Sequence, residues 1–303
     1  MPASTREIKR RIKGVTNIRQ ITRAMELVSA AKMQRAISAV QQSRRYATLA
    51  WDMLHSVTAK LDGTTHALLS VRPRRRVMLI VMSSNRGLAG GYNTKVAEVA
   101  RAYSKTIKEE TPGVSVEIVA LGKKGRDYLS KRGAAFAAEF ERNDRENITA
   151  QMTPIVELAM SGYVNKEYDE VSVVYTDFIS MLKQVPRVRR LLPILEPDAN
   201  LGHTAHDYAA ESTTEDEAVH LFEPSASAVL LRLVPRLIEV QLYQALQESN
   251  AAEHASRMLA MRNASDAAQD LKEDFTLTLN QIRQSGITSE LAEISAGRLA
   301  LGV

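Results

Sequence analysis

The stretch with the most chemical promise is Ser83-Ser84-Asn85-Arg86-Gly87-Leu88-Ala89-Gly90-Gly91, which follows an apolar run at 77–82. Glycines placed after a strand can let backbone amides approach a phosphate. The spacing is not GxGxxG, however, and GxxxxGKS/T occurs nowhere in the chain. A tight strand-to-helix turn accounts for the same residues. His55, His66, His203, His206, His220 and His254 form no metal-binding pattern, and His203 and His206 sit in a polar stretch without matching ligands. There is no cysteine, which excludes disulfides, thiolate metal sites and thiol switches. No serine or carboxylate pair stands out as a nucleophile or an acid–base couple. Catalysis by this chain alone is not expected, and neither is a resident cofactor or metal.

Charge is the second chemical signal. Arg72, Arg74, Arg75 and Arg76 precede the apolar run, and Arg187, Arg189 and Arg190 form another cluster. Both read as solvated strand ends, since the aromatic interleaving that stacks bases is missing. Residues 1–60 hold twelve Lys/Arg against Glu7, Glu26 and Asp52, a balance of +9. Residues 225–303 hold seven against nine Asp/Glu, a balance of −2. A basic helix of this kind suits nucleic acid, acidic lipid or an acidic protein surface, or a mildly acidic partner helix.

Long helices must position these groups. Ser4-Thr5-Arg6-Glu7 is a capping box. Apolar residues then recur at Ile8, Ile12, Val15, Ile18, Ile21, Met25 and Val28, every three or four positions. From Ala3 to Asp62 the only breaker is Gly14, so a helix of about 85 Å is expected within 1–62. A second helix is expected over 224–303, about 110 Å long, with Ala251, Ala255, Met258, Leu271, Phe275, Leu279 and Ile282 as its stripe. Pro235 predicts a kink or a late start there.

Ten of the fourteen glycines fall between Gly63 and Gly202. Strands at 77–82, 114–121, 134–140 and 170–179 alternate with helices at 93–110, 124–131 and 147–164. That order predicts a Rossmann-like α/β domain over 72–205 with a mainly parallel sheet. An acidic linker fills 206–223. Two long single-stripe helices flanking one compact domain, with opposite charge balance, predict an intrachain antiparallel coiled coil. No apolar run approaches the roughly 20 residues needed to cross a bilayer, and 1–7 lacks the apolar core of a secretory signal.

Three segments then carry a resemblance along essentially the full chain. They are 21–33 (ITRAMELVSAAKM), 86–93 (RGLAGGYN) and 287–294 (ITSELAEI). In this order they resemble the gamma subunit of F-type ATP synthases. The chain departs from that family's pattern at Asn85, Ala89, Pro235 and Arg298, and it has no redox cysteine pair. The resemblance implies a non-catalytic central rotor shaft that couples proton flow to ATP synthesis or hydrolysis by rotation. Its implied partners are the alpha and beta subunits of the catalytic hexamer, the epsilon subunit and the membrane c-ring. It implies a peripheral location on the cytoplasmic face of a bacterial inner membrane. By motif it assigns partner contacts to Arg23, Met25, Arg257, Arg283, Gln284, Thr288 and Glu290. The competing readings are a basic coiled-coil protein binding nucleic acid through 6–45, and a nucleotide-binding regulator using the glycine turn.

Overall fold

The computed structural model describes residues 5–58, 66–142, 148–194 and 222–300, without the side chains of 44, 45, 55 and 297–300. The acidic linker therefore lies, up to residue 221, outside the described residues. Helix α1 runs Thr5–Thr58 and helix α5 runs Ala226–Ala300. Between them come β1 (Arg76–Met82), α2 (Tyr92–Glu110), β2 (Ser115–Leu121), α3 (Lys123–Ser130) and β3 (Phe136–Phe140). Helix α4 (Ile148–Val164), β4 (Glu170–Phe178) and β5 (Gln184–Leu192) complete the order.

Two compact units divide the chain, one of residues 1–29 with 258–303 and the other of 30–257. The start of α1 shares a unit with the end of α5, and the end of α1 shares one with the start of α5. That membership is the antiparallel pairing expected of the two helices.

In the larger unit five strands lie in the order β3-β2-β1-β4-β5. β1 pairs in parallel with β2 and β4, β2 pairs in parallel with β3, and β5 is antiparallel to β4. Because β1 is central, Val77–Met82 is buried on both faces, as a continuous aliphatic run requires. Met78, Ile80 and Met82 meet α1 through Ala50, Leu54 and Val57, and α5 through Leu230, Val234 and Leu237. On the opposite face Leu79 and Val81 meet Val96, Ala97 and Ala100 of α2, with Leu129 of α3. Each such aliphatic side chain contributes roughly 1.5–3 kcal/mol by leaving water.

Two expectations change. β5 was not anticipated, because QVPRVRRLL carries a proline and three arginines. As an edge strand it tolerates both, since its outer side needs no ladder partner. Two of its three arginines are not loose charges either. Arg187 pairs with the buried Asp177 at 2.7 Å, and Arg189 is itself buried. The other cluster is engaged too. Arg74 pairs with the buried Glu170 at 2.7 Å, and Arg72 donates to the Tyr163 carbonyl at 2.9 Å while lying over its ring. The second change concerns the late start offered for Pro235: α5 begins nine residues before it and runs through it. The carbonyl that loses a donor belongs to Leu231, an exposed residue.

The smaller unit is built only from segments of α1 and α5. Its buried positions are Ile8, Thr22 and Ser29 on α1, and Met261, Ser265 and Ala268 on α5. The spacings of seven, and of four then three, are those of a helix seam. Small side chains at 22, 29, 265 and 268 allow close approach. The hydroxyls of Thr22 and Ser29 are satisfied by their own helix, at the carbonyls of Ile18 and Met25. The apolar stripe expected to fill this seam is only partly used. Ile18, Ile21 and Val28 are 54–60% exposed, as is Leu271 at 48%.

Candidate functional site

In the smaller unit α1 presents Arg23 and Met25. The Arg23 guanidinium pairs with Glu26 at 2.8 Å, one turn along, and stays 60% exposed. Such a pair stabilises a helix by only about 0.2–0.5 kcal/mol, so it can exchange partners cheaply. Met25 is half-buried beside it. On α5, Arg283, Gln284, Thr288 and Glu290 are all exposed within two turns. The Thr288 hydroxyl donates to the Gln284 carbonyl of its own helix at 3.0 Å. Ile287, Leu291 and Ile294 recur at four and three positions and are 49–68% exposed. The side chain of Arg298 lies outside the described residues.

Arg257 belongs to the larger unit, apart from the other six. Its side chain is 11% exposed and pairs with Glu253 at 2.7 Å, one turn back. The same guanidinium reaches the Gly87 carbonyl at 3.4 Å and the His254 ring at 3.3 Å.

Glu253 is the centre of this cluster. Its second oxygen lies 2.8 Å from Arg142, just beyond β3, and both side chains are under 10% exposed. Arg142 also donates to the Ser83 carbonyl at 2.8 Å and to the Asn250 amide oxygen. Burial pushes the Glu253 carboxyl up, but Arg142 and Arg257 outweigh it and hold the group below its ordinary range. Burial pushes the His254 imidazole down to about 4, with Arg257, Lys32 and Arg142 acting the same way against Glu253. The imidazole is therefore neutral at pH 7. Tyr92, at the start of α2, shares a 2.7 Å hydrogen bond with Ser249, and burial raises its phenol to about 12.

The glycine turn feeds the same place. Leu88 and Gly90 take positive φ values of 61° and 53°, which carry the chain from β1 into α2. Ser83, Ser84 and Asn85 are spent inside the protein. Ser84 N–H donates to the Asn93 side chain, Gly125 N–H to the Ser83 hydroxyl, and Lys123 N–H to the Asn85 amide oxygen. The Asn85 NH2 donates in turn to the Arg142 carbonyl, which an aspartate could not do. The polar side chains at the start of the turn hold it together, which favours a structural turn over a nucleotide cradle. Among the described residues no group of three or more His, Asp or Glu could hold a metal ion.

Arg142, Glu253, Tyr92 and Ser249 were not foreseen from the sequence. Glu253 carried a usable signal, a lone carboxylate between Ala251, Ala252 and Ala255 on a buried stripe. Arg142 carried none, because it sits in a uniformly polar run at 141–147. A cavity of about 300 Å³ opens beside the cluster, lined by Lys32, Arg35, Arg142, Gln247, Asn250 and His254 among others.

A family model described as ATP synthase matches residues 4–301. The ATP synthase gamma chain of Herpetosiphon aurantiacus is 42% identical, over 99% of each chain. That of Roseiflexus castenholzii is 43% identical over 98% of each. Among solved structures, the rotor of the Euglena gracilis mitochondrial ATP synthase shares the fold at a TM-score of 0.60 and 19% identity. That match spans 93% of this chain and 98% of the other. The central stalk and c-ring structure from Tetrahymena thermophila contains a chain with a TM-score of 0.55 and 23% identity, over 81% and 99%. Matched from end to end by the family model and by relatives of equal length, this chain belongs to the ATP synthase gamma-chain family.

Proposed function

We propose that the chain is the central rotor shaft of an F-type ATP synthase and performs no catalysis itself. The observation that carries this reading is the apolar surface the smaller unit leaves uncovered: Ile18, Ile21, Leu27 and Val28 on α1, and Leu277, Ile287, Leu291 and Ile294 on α5. Isolated exposed apolar residues are ordinary, but a helix pair exposing this many on both members needs a surrounding partner. The alpha and beta subunits of the catalytic hexamer supply it. Arg23, Met25, Arg283, Gln284, Thr288 and Glu290 are the contacts within that sleeve. Their weak, solvent-exposed pairings suit a bearing, because ion pairs of about 0–1 kcal/mol can be made and broken as the shaft turns.

The larger unit engages the epsilon subunit and the membrane c-ring, and ATP with its magnesium binds to the partners. No helix among the described residues is long and apolar enough to cross a membrane. Attachment at the cytoplasmic face of a bacterial membrane therefore goes through the c-ring. Nucleic-acid binding through 6–45 has nothing behind it among the relatives, which are gamma chains matched from end to end.

Co-expression of the chain with the alpha and beta subunits of its own complex tests the reading. A stable assembly with one copy of this chain per hexamer is expected. A chain that elutes alone, or that is retained instead by DNA with a steep salt dependence, would overturn it.

A further inference from the structure

We propose that Arg142 and Glu253 form a pin that fixes the register of α5 against the sheet, and that rotary load passes between sheet and helix through it. This rests on the rotor reading. In a parallel sheet ordered 3-2-1-4-5, the crevice beyond the carboxyl ends of the strands, where the order reverses beside β1, is where a ligand is ordinarily held. Here the protein fills that place itself. Ser83 follows β1, Arg142 follows β3, Tyr92 opens α2, and all three bond to each other or to α5 through Ser249, Asn250 and Glu253. Arg257, one turn further on, ties α5 back to Gly87 of the turn after β1.

The apolar core beneath these residues holds α5 to the sheet without fixing its position along the helix axis. Hydrophobic burial is non-directional, and a helix can slide or turn on a greasy face at modest cost. A buried guanidinium that donates to a strand-end carbonyl and an amide oxygen while ion-paired with a carboxylate at 2.8 Å has one geometry only. Slippage by even one residue would draw the buried Glu253 carboxylate away from Arg142, its partner from outside the helix. Arg142 is therefore a positioning residue for torque, and Arg257 acts through Glu253.

The test uses the whole ATP synthase complex carrying this chain, in sealed vesicles, and reads protons pumped per ATP hydrolysed. Arg142→Gln is expected to lower that ratio at least threefold, and Arg142→Lys to recover most of it. Ile80→Val, a mild core change away from the pin, controls for lost stability and should leave the ratio alone. A wild-type ratio in Arg142→Gln, or an equal fall in Ile80→Val, overturns the pin. Should Arg142→Gln fail to assemble, the Tyr92→Phe/Asn250→Ala double variant, which orphans no charge, must lower the ratio. A wild-type value there overturns the proposal as well. An unaltered chain that supports no pumping overturns the rotor reading first, and the pin with it.

Discussion

His254 shows how much the setting of one side chain departs from its type. Its imidazole stands at about 4 in the folded chain against an ordinary 6.5. Between these values the unfolded chain binds the extra proton and the folded chain does not. Stability therefore falls as the pH drops from about 6.5 to about 4, and the loss is complete below that window. At about 1.4 kcal/mol per unit the full loss is up to roughly 3 kcal/mol. His254→Gln should flatten this part of the stability–pH curve, measured by denaturant midpoints of the chain. His66 shifts in the same direction, so the difference between wild type and variant is the quantity to compare. Equal slopes in the two proteins would show that His254 is not neutral in the fold. The sequence could name this histidine, but not its role. Its surroundings come from α1, from Arg142 and from its own helix, residues far apart in the chain.

At the scale of elements, periodicity made most of the fold legible. The run at 77–82 and the alternation of strands and helices gave β1 to β4 in parallel order, because buried aliphatic strands leave a continuous apolar trace. β5 escaped, since an edge strand has no such trace and can carry Pro186 and three arginines. The seam of the two long helices was misassigned in part. Thr22 and Ser29, polar by type, are buried there, while Ile18 and Ile21 face outward. Hydroxyls that bond to their own helix hide their polarity, and a stripe serving two surfaces reads as one. Glycines separate local freedom from packing. A Cβ on Gly122 would stand 2.3 Å from the Ser83 carbonyl oxygen, at a φ of +98°. Gly122→Ala should cost at least about 3 kcal/mol, backbone strain alone supplying about 1–3. A Cβ on Gly14, inside α1, meets nothing within 4 Å. Gly14→Ala should stabilise the chain by about 0.5–1 kcal/mol. Urea midpoints with unchanged slopes decide both, and a tolerated Gly122→Ala would contradict the close approach of α3 to the end of β1.

For the whole molecule, family motifs are what assign the proposed partner contacts to the two helices, while the ion-pair cluster beside the sheet was invisible to them. Motifs report what partners touch. The pin is internal, and its residues are brought together by topology alone. The covering of a helix pair that cannot bury its own apolar residues is likewise a property of the assembly rather than of any segment.

The absence of cysteine allows one label to be placed without competition. A single cysteine at the exposed Lys108 of α2 can carry a bead, with the catalytic hexamer fixed to a surface. On addition of ATP the bead should turn in one direction, in three equal steps per revolution. A hexamer that retains this chain and hydrolyses ATP while the bead stays still would contradict the central claim that the chain is the rotor.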